Sequence, residues 1–218
     1  MKLKGFTLAE VLVTIGLIGV VASLTLPAIS TNIQKQQMGP ALLRAAATLE
    51  TANSLMMVEQ DILSFKASCG TNYISQCFIP YIAPKIGAHF VPHAQIKPYK
   101  FMNSDTSINM HESKYDAYMS KNGFIYYLYN EDLANNADNY GMFVDVNGNK
   151  GPNTVGKDTF YLGMYFSDGG KLDFTGSDTA KYDNGFWHTR CNSRSVDNLG
   201  MDCAGSILDN NGKVIYPW

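Results

Sequence analysis

A surplus of either charge is missing. Lys and Arg number 17 against 19 Asp and Glu, a formal net charge of −2, so no global basic field exists to hold a polyphosphate backbone by counterion release. Nucleic acid is excluded as a main partner. Catalytic signatures are missing too: no GxSxG elbow, phosphate-binding loop or HExxH helix occurs. Charge of any sign is absent from Val11 to Gln34, where Val, Leu, Ile, Ala and Gly dominate. Over the whole chain, 45% apolar and 17% charged residues fit one ordinary domain with an appended segment. Intrinsic disorder and collagen-like repeats do not fit them.

Val11 to Leu26 reads VLVTIGLIGVVASLTL, and with Phe6, Leu8 and Ala9 ahead of it the stretch reaches about 20 residues, or ~30 Å as a helix. That length spans a bilayer. Lys2 and Lys4 precede it, so the excess of positive charge leaves the N-terminus in the cytoplasm and sends the chain beyond about residue 30 outward. An ordinary secretory signal would end in a small-residue cleavage site, and Ala22 and Ser23 make a poor one. Gly5, between the basic start and Phe6-Thr7-Leu8-Ala9-Glu10, is the better cut and leaves the apolar run attached.

These residues, KGFTLAEVLVTIGLIGVVASLTLPAI, resemble the class III leader and N-terminal helix of type IV pilins and type II secretion pseudopilins over about the first 50 positions. The resemblance implies a leader, 1–5, removed by a membrane prepilin peptidase after Gly5, and methylation of the new N-terminal Phe6. It places Glu10 at the family's acidic position and Pro27 at its helix-loosening proline, while Ala9 stands where Ile or Leu is more usual. It implies a lollipop shape, with a transmembrane and assembly helix, 6–30, an amphipathic helix, 31–62, and an extracytoplasmic α+β head, 63–218. The implied location is the inner membrane, single pass, N-terminus inside, and then a periplasmic or extracellular filament. Implied partners are copies or relatives of the chain, the peptidase, an inner-membrane assembly platform and its ATPase motor.

A carboxylate one turn inside an apolar helix calls for a compensating cation. The freed amine of Phe6, which also carries the positive end of the helix dipole, could supply one to the Glu10 of a neighbour. Repeated head to tail, that pair would set the stagger of an open filament. The expected function is therefore a structural subunit of a pilus or secretion pseudopilus, and not an enzyme. The alternatives are a minor tip subunit that binds secreted cargo, DNA or a surface, and a membrane-anchored extracytoplasmic enzyme.

Pro27 should kink or loosen the helix, and Gly39-Pro40 form a second interruption. From Ala41 the apolar residues Leu42, Ala45, Ala46, Leu49, Ala52 and Met56 recur at helical spacing, with Arg44, Glu50 and Glu59 off the stripe. One long helix from about Phe6 to Ile62 follows. Beyond it, Tyr115–Met119, an Asn122-Gly123 turn and Phe124–Tyr129 read as a hairpin. Gly141–Val146, Thr159–Phe166 and Lys171–Phe174 add strands, giving an antiparallel sheet of about four to six and the α+β class. Residues 63–112, broken by Pro80, Pro84, Pro92 and Pro98, read as a loop-rich connection.

Cys69, Cys77, Cys191 and Cys203 permit three pairings. Outside the cytoplasm the local bridges Cys69–Cys77 and Cys191–Cys203 are favoured, and neither gap suits a zinc knuckle. In DVNGNKGPNTVGKD, Asp145, Asn147 and Asn149 alternate and Asp158 closes the loop, a spacing of oxygen ligands that suits calcium. Lys150 stands where a helix–loop–helix calcium motif needs glycine, so the competing reading is a Gly- and Asn-rich turn. Major pseudopilins are similar in carrying a calcium-stabilised loop between strands. His89 and His93 are four apart, but Pro92 argues against a metal-binding helix; His111 and His188 are isolated. Tyr126, Tyr127 and Tyr129 fit strand packing better than sugar stacking.

Overall fold

The structure, a computed structural model, describes residues 7–62, 68–69, 73–102, 107–108, 115–129, 139–166, 172–175, 191 and 200–216. Two compact units divide the chain, Met1–Gln37 and Met38–Trp218. Helix α1, Leu8–Glu59, contributes to both.

In the first unit α1 carries apolar side chains on every side, and Leu12, Val13, Leu17, Ile18 and Leu24 are all exposed. It is long and apolar enough to cross a membrane. The few hydroxyls on this stretch close onto the helix itself: Thr14 donates to the Val11 carbonyl at 2.9 Å, Ser23 to Val20 at 2.8 Å and Thr25 to Val21 at 3.0 Å. Contrary to the expected loosening, helical structure runs through Pro27, although proline has no amide to donate.

The second unit opens with the amphipathic part of α1. Leu42, Ala45, Ala46, Leu49, Ala52 and Met56 are buried, while Arg44, Ala47, Thr51 and Val58 face outward. Gly39-Pro40 is no interruption either. A Cβ at Gly39 would lie 1.8 Å from the Gly212 carbonyl oxygen, so the glycine admits a close backbone approach rather than a break. The helix ends at Glu59, three residues before the expected Ile62, because Asp61 turns to φ 51° and the Ile62 amide closes back on Met57 at 2.9 Å.

Six strands form one antiparallel sheet in the order β1-β4-β5-β6-β7-β8: β1 His89–Val91, β4 Tyr115–Met119, β5 Ile125–Tyr129, β6 Asn139–Asp145, β7 Thr159–Phe166 and β8 Leu172–Thr175. A separate ribbon pairs β2, Tyr99–Lys100, with β3, Ser107–Ile108. Alternation puts Tyr118, Tyr126, Val144 and Phe160 in register on the face that packs with α1. On the other face Ala117, Tyr127 and Phe143 pack with Val91, Ile96, Tyr99 and Val155. Both faces are therefore covered, which explains why β5 reads as a continuous aromatic and apolar run.

The described residues between 63 and 112 correct the sequence reading. Instead of a loop-rich connection, Ile74–Ile82 form a π-wound helix, α2, that continues as the α-helical turn α3, Ala83–Ile86. Pro80 breaks a regular α ladder, and the wider winding carries it; Pro84 occupies the first turn of α3, where a missing amide costs nothing. Phe78, fully buried, meets Tyr118 edge-on at 5.4 Å and Tyr126 at 6.3 Å. Two disulfides hold this unit, Cys69–Cys77 with Cα atoms 5.7 Å apart and Cys191–Cys203 at 4.9 Å. The second bridge fastens residue 191 to α4, Cys203–Asp209, which packs into the main core.

Candidate functional site

Two places carry the sequence-predicted site residues. At the start of α1, Thr7 is the residue before the helix and Glu10 lies in its first turn. The Glu10 Oε2 atom accepts from the Thr7 amide at 2.8 Å and from its hydroxyl at 2.9 Å, while the Glu10 amide donates to Thr7 Oγ1 at 3.3 Å. This is a reciprocal capping box, and Thr7-Leu8-Ala9-Glu10 has its Thr-x-x-Glu spacing. Sequence reasoning passed over Thr7, because it looked for Glu10's partner on another chain. Among the described residues Glu10 Oε1 accepts no hydrogen bond, so one carboxylate oxygen stays available to a cation without loss of the cap. Gly5 and Phe6 lie outside the described residues. Pro27 sits within continuous helix, where its carbonyl accepts from Thr31 Oγ1 at 3.0 Å.

The second place is the β6–β7 loop. Asp145, the last residue of β6, is fully buried; its Oδ2 accepts from the Tyr99 hydroxyl at 2.7 Å and its Oδ1 from the Asn147 amide at 2.9 Å. Tyr99 in turn shares a hydrogen bond with the Tyr127 hydroxyl. Asp158 is buried as well, and accepts from the Thr154 and Asn153 amides, each at 2.7 Å, and from Asn147 Nδ2 at 3.3 Å. Asn149 leaves this group: its Oδ1 accepts from the Lys97 amide at 3.2 Å and its Nδ2 donates to the Gln95 carbonyl at 2.6 Å. Burial raises the Asp145 carboxyl to about 8, and the neighbouring Asp158 adds to the rise against the hydrogen bonds from Tyr99 and Asn147. Asp158 is also raised by burial, with the Thr154 and Asn153 amides opposing.

Three of the four proposed calcium ligands thus converge and Asn149 does not. Tyr99 and Asn153, which complete the cluster with Tyr127, were not singled out in the sequence, Tyr127 was read only as strand packing, and no local spacing reveals that Tyr99 crosses to Asp145. Among the described residues no group of three His, Cys, Asp or Glu side chains is placed to hold a metal ion. His89 is exposed on β1, and His93 opens a short 3-10 turn, His93–Gln95, with Nε2 2.8 Å from the Tyr115 carbonyl oxygen. His111 and His188 lie outside the described residues.

An open groove of about 340 Å³ runs along the outer face of α1, lined by Arg44, Thr48, Leu55, Lys85 and Ile86 among others. Lys85 is paired with Glu59. The groove lining contains no carboxylate, histidine or cysteine. Comparison with protein-family models, with curated proteins and with solved structures returned no match.

Proposed function

We propose that the chain is a structural subunit of a type IV pilus or type II secretion pseudopilus, made with a five-residue leader, cut after Gly5 and polymerised through the first half of α1. The observation that carries this reading is the ordered run of Lys2, Lys4, Gly5, Phe6 and Glu10 directly ahead of a charge-free apolar helix. The all-round exposure of apolar side chains on that helix supports it, since such a surface needs lipid or sister helices around it. So does the free Oε1 of Glu10, which can meet a neighbour's amine while Oε2 keeps the cap.

In this mechanism the head does no chemistry. Monomers wait in the inner membrane with the head outside; the peptidase exposes the Phe6 amine; each incoming subunit sets its stagger by pairing Glu10 with the amine of another. The test is assembly in cells in which this chain is the sole source of the subunit. Glu10→Ala and Glu10→Gln should abolish or sharply reduce sheared filaments and inter-subunit crosslinks while membrane levels of the protein hold. Unchanged filament growth with both variants would overturn the docking rule.

A further inference from the structure

The oxygen donors of the β6–β7 loop read in sequence as a calcium site, and their geometry does not fit one. Calcium takes six to eight oxygens at ~2.3–2.6 Å, with no hydrogen-bond donor aimed at the same oxygens from the cation's position. Here the central group is a donor. The Asn147 carboxamide nitrogen stands between two acceptors, the Gly151 carbonyl at 3.1 Å and Asp158 Oδ2 at 3.3 Å. Both neighbours being acceptors, they fix the amide's orientation, because the flipped form would set oxygen against oxygen. The remaining carboxylate oxygens already face amides or a hydroxyl, and the one oxygen of the cluster left without a hydrogen bond among the described residues is the buried Asn147 Oδ1.

We propose that the β6–β7 loop is a metal-independent clasp in which the Asn147 carboxamide bridges the loop's oxygens as a divalent cation otherwise would. The clasp has a second job. Asn149 holds residues 95 and 97 from above, Tyr99 pins the same segment into the sheet, and the Lys100 amide and carbonyl pair with Asn153 and Val155 at 2.9 and 2.8 Å. Residues 95–100 are thereby fastened across the sheet face opposite α1, at four points supplied by one loop. This inference does not depend on the pilin reading.

The test uses the full chain in nanodiscs of zwitterionic lipid, with the thermal midpoint of the head followed by near-ultraviolet circular dichroism in about 5 mM CaCl2 and about 5 mM EGTA. The native chain should melt at the same temperature in both. Asn147→Asp replaces the bridging donor with a third carboxylate; its midpoint should fall by roughly 3–10 °C in EGTA and recover in calcium. Asn147→Ala should fall similarly and show no response to calcium, and it keeps the test decisive if the aspartate variant does not fold in EGTA. A native midpoint that rises with calcium, or saturable calcium binding by the native chain in titration calorimetry, would overturn the proposal. So would an Asn147→Asp variant as stable in EGTA as the native protein.

Discussion

Leu42, Leu49 and Met56 and, a few turns earlier, Leu12, Leu17 and Leu24 lie on the same helix, yet the first three are buried and the others stand exposed. The difference lies in pattern rather than in composition. Along residues 38–59 a stripe of apolar side chains from Leu42 to Met56 lies on one side, with Arg44, Thr51 and Ser54 among the residues off it, so one protein surface can cover the stripe. Along residues 8–34 the apolar residues occupy every side, so no single packed face can cover them. One region is covered by its own protein; the other is long and apolar enough to cross a membrane.

Substitutions that separate the two regions should differ most in the head. Phe78→Ala, which empties the fully buried contact of α2 with Tyr118 and Tyr126, should cost about 3–5 kcal/mol in denaturant unfolding. Leu17→Ala, in the exposed stretch, should leave that transition within about 0.5 kcal/mol. A comparable loss from Leu17→Ala would erase the distinction. Reducing Cys69–Cys77 or Cys191–Cys203 should lower head stability by about 2.5–3 kcal/mol each through loop entropy, and should leave membrane extraction of the chain unchanged.

Gly39 sharpens the boundary. A methyl group there meets the Gly212 carbonyl, so Gly39→Ala should destabilise the head by about 1–3 kcal/mol, whereas Gly16→Ala, with open space around it, should not. A further test is in pH. Folding raises the Asp145 carboxyl to about 8 from an ordinary 3.8, so between those values the folded head holds a proton that the unfolded chain has released. Stability should therefore fall as pH rises from about 4 to about 8 and level off above, and Asp145→Asn should flatten that slope. A slope of opposite sign in the native protein would contradict the burial of Asp145.

How much of this was legible depended on range. The stripe from Leu42 to Met56, the hairpin around Asn122-Gly123 and β7 at Thr159–Phe166 follow from local period and turn residues, and all stand where the sequence puts them. The helical stretch α2–α3 was hidden, because Pro80 and Pro84 read as breakers while a wide turn and a first-turn position accommodate them. Gly39-Pro40 misled in the same direction, since a glycine that admits a neighbouring backbone carries the same letter as one that ends a helix. At the β6–β7 loop the sequence picked Asp145, Asn147 and Asp158 but could not see Tyr99, because contacts across 46 residues leave no periodic trace. Thr7 was legible as half of a Thr-x-x-Glu box.

The central claim concerns the first unit, that its apolar helix is an assembly segment released from a leader. Intact-mass and N-terminal peptide analysis of the membrane fraction, from cells with and without a prepilin peptidase, tests it directly. A mature chain beginning at N-methylated Phe6 only when the peptidase is present is the predicted result. An intact Met1 in both, or a cut near Ala22, would contradict it.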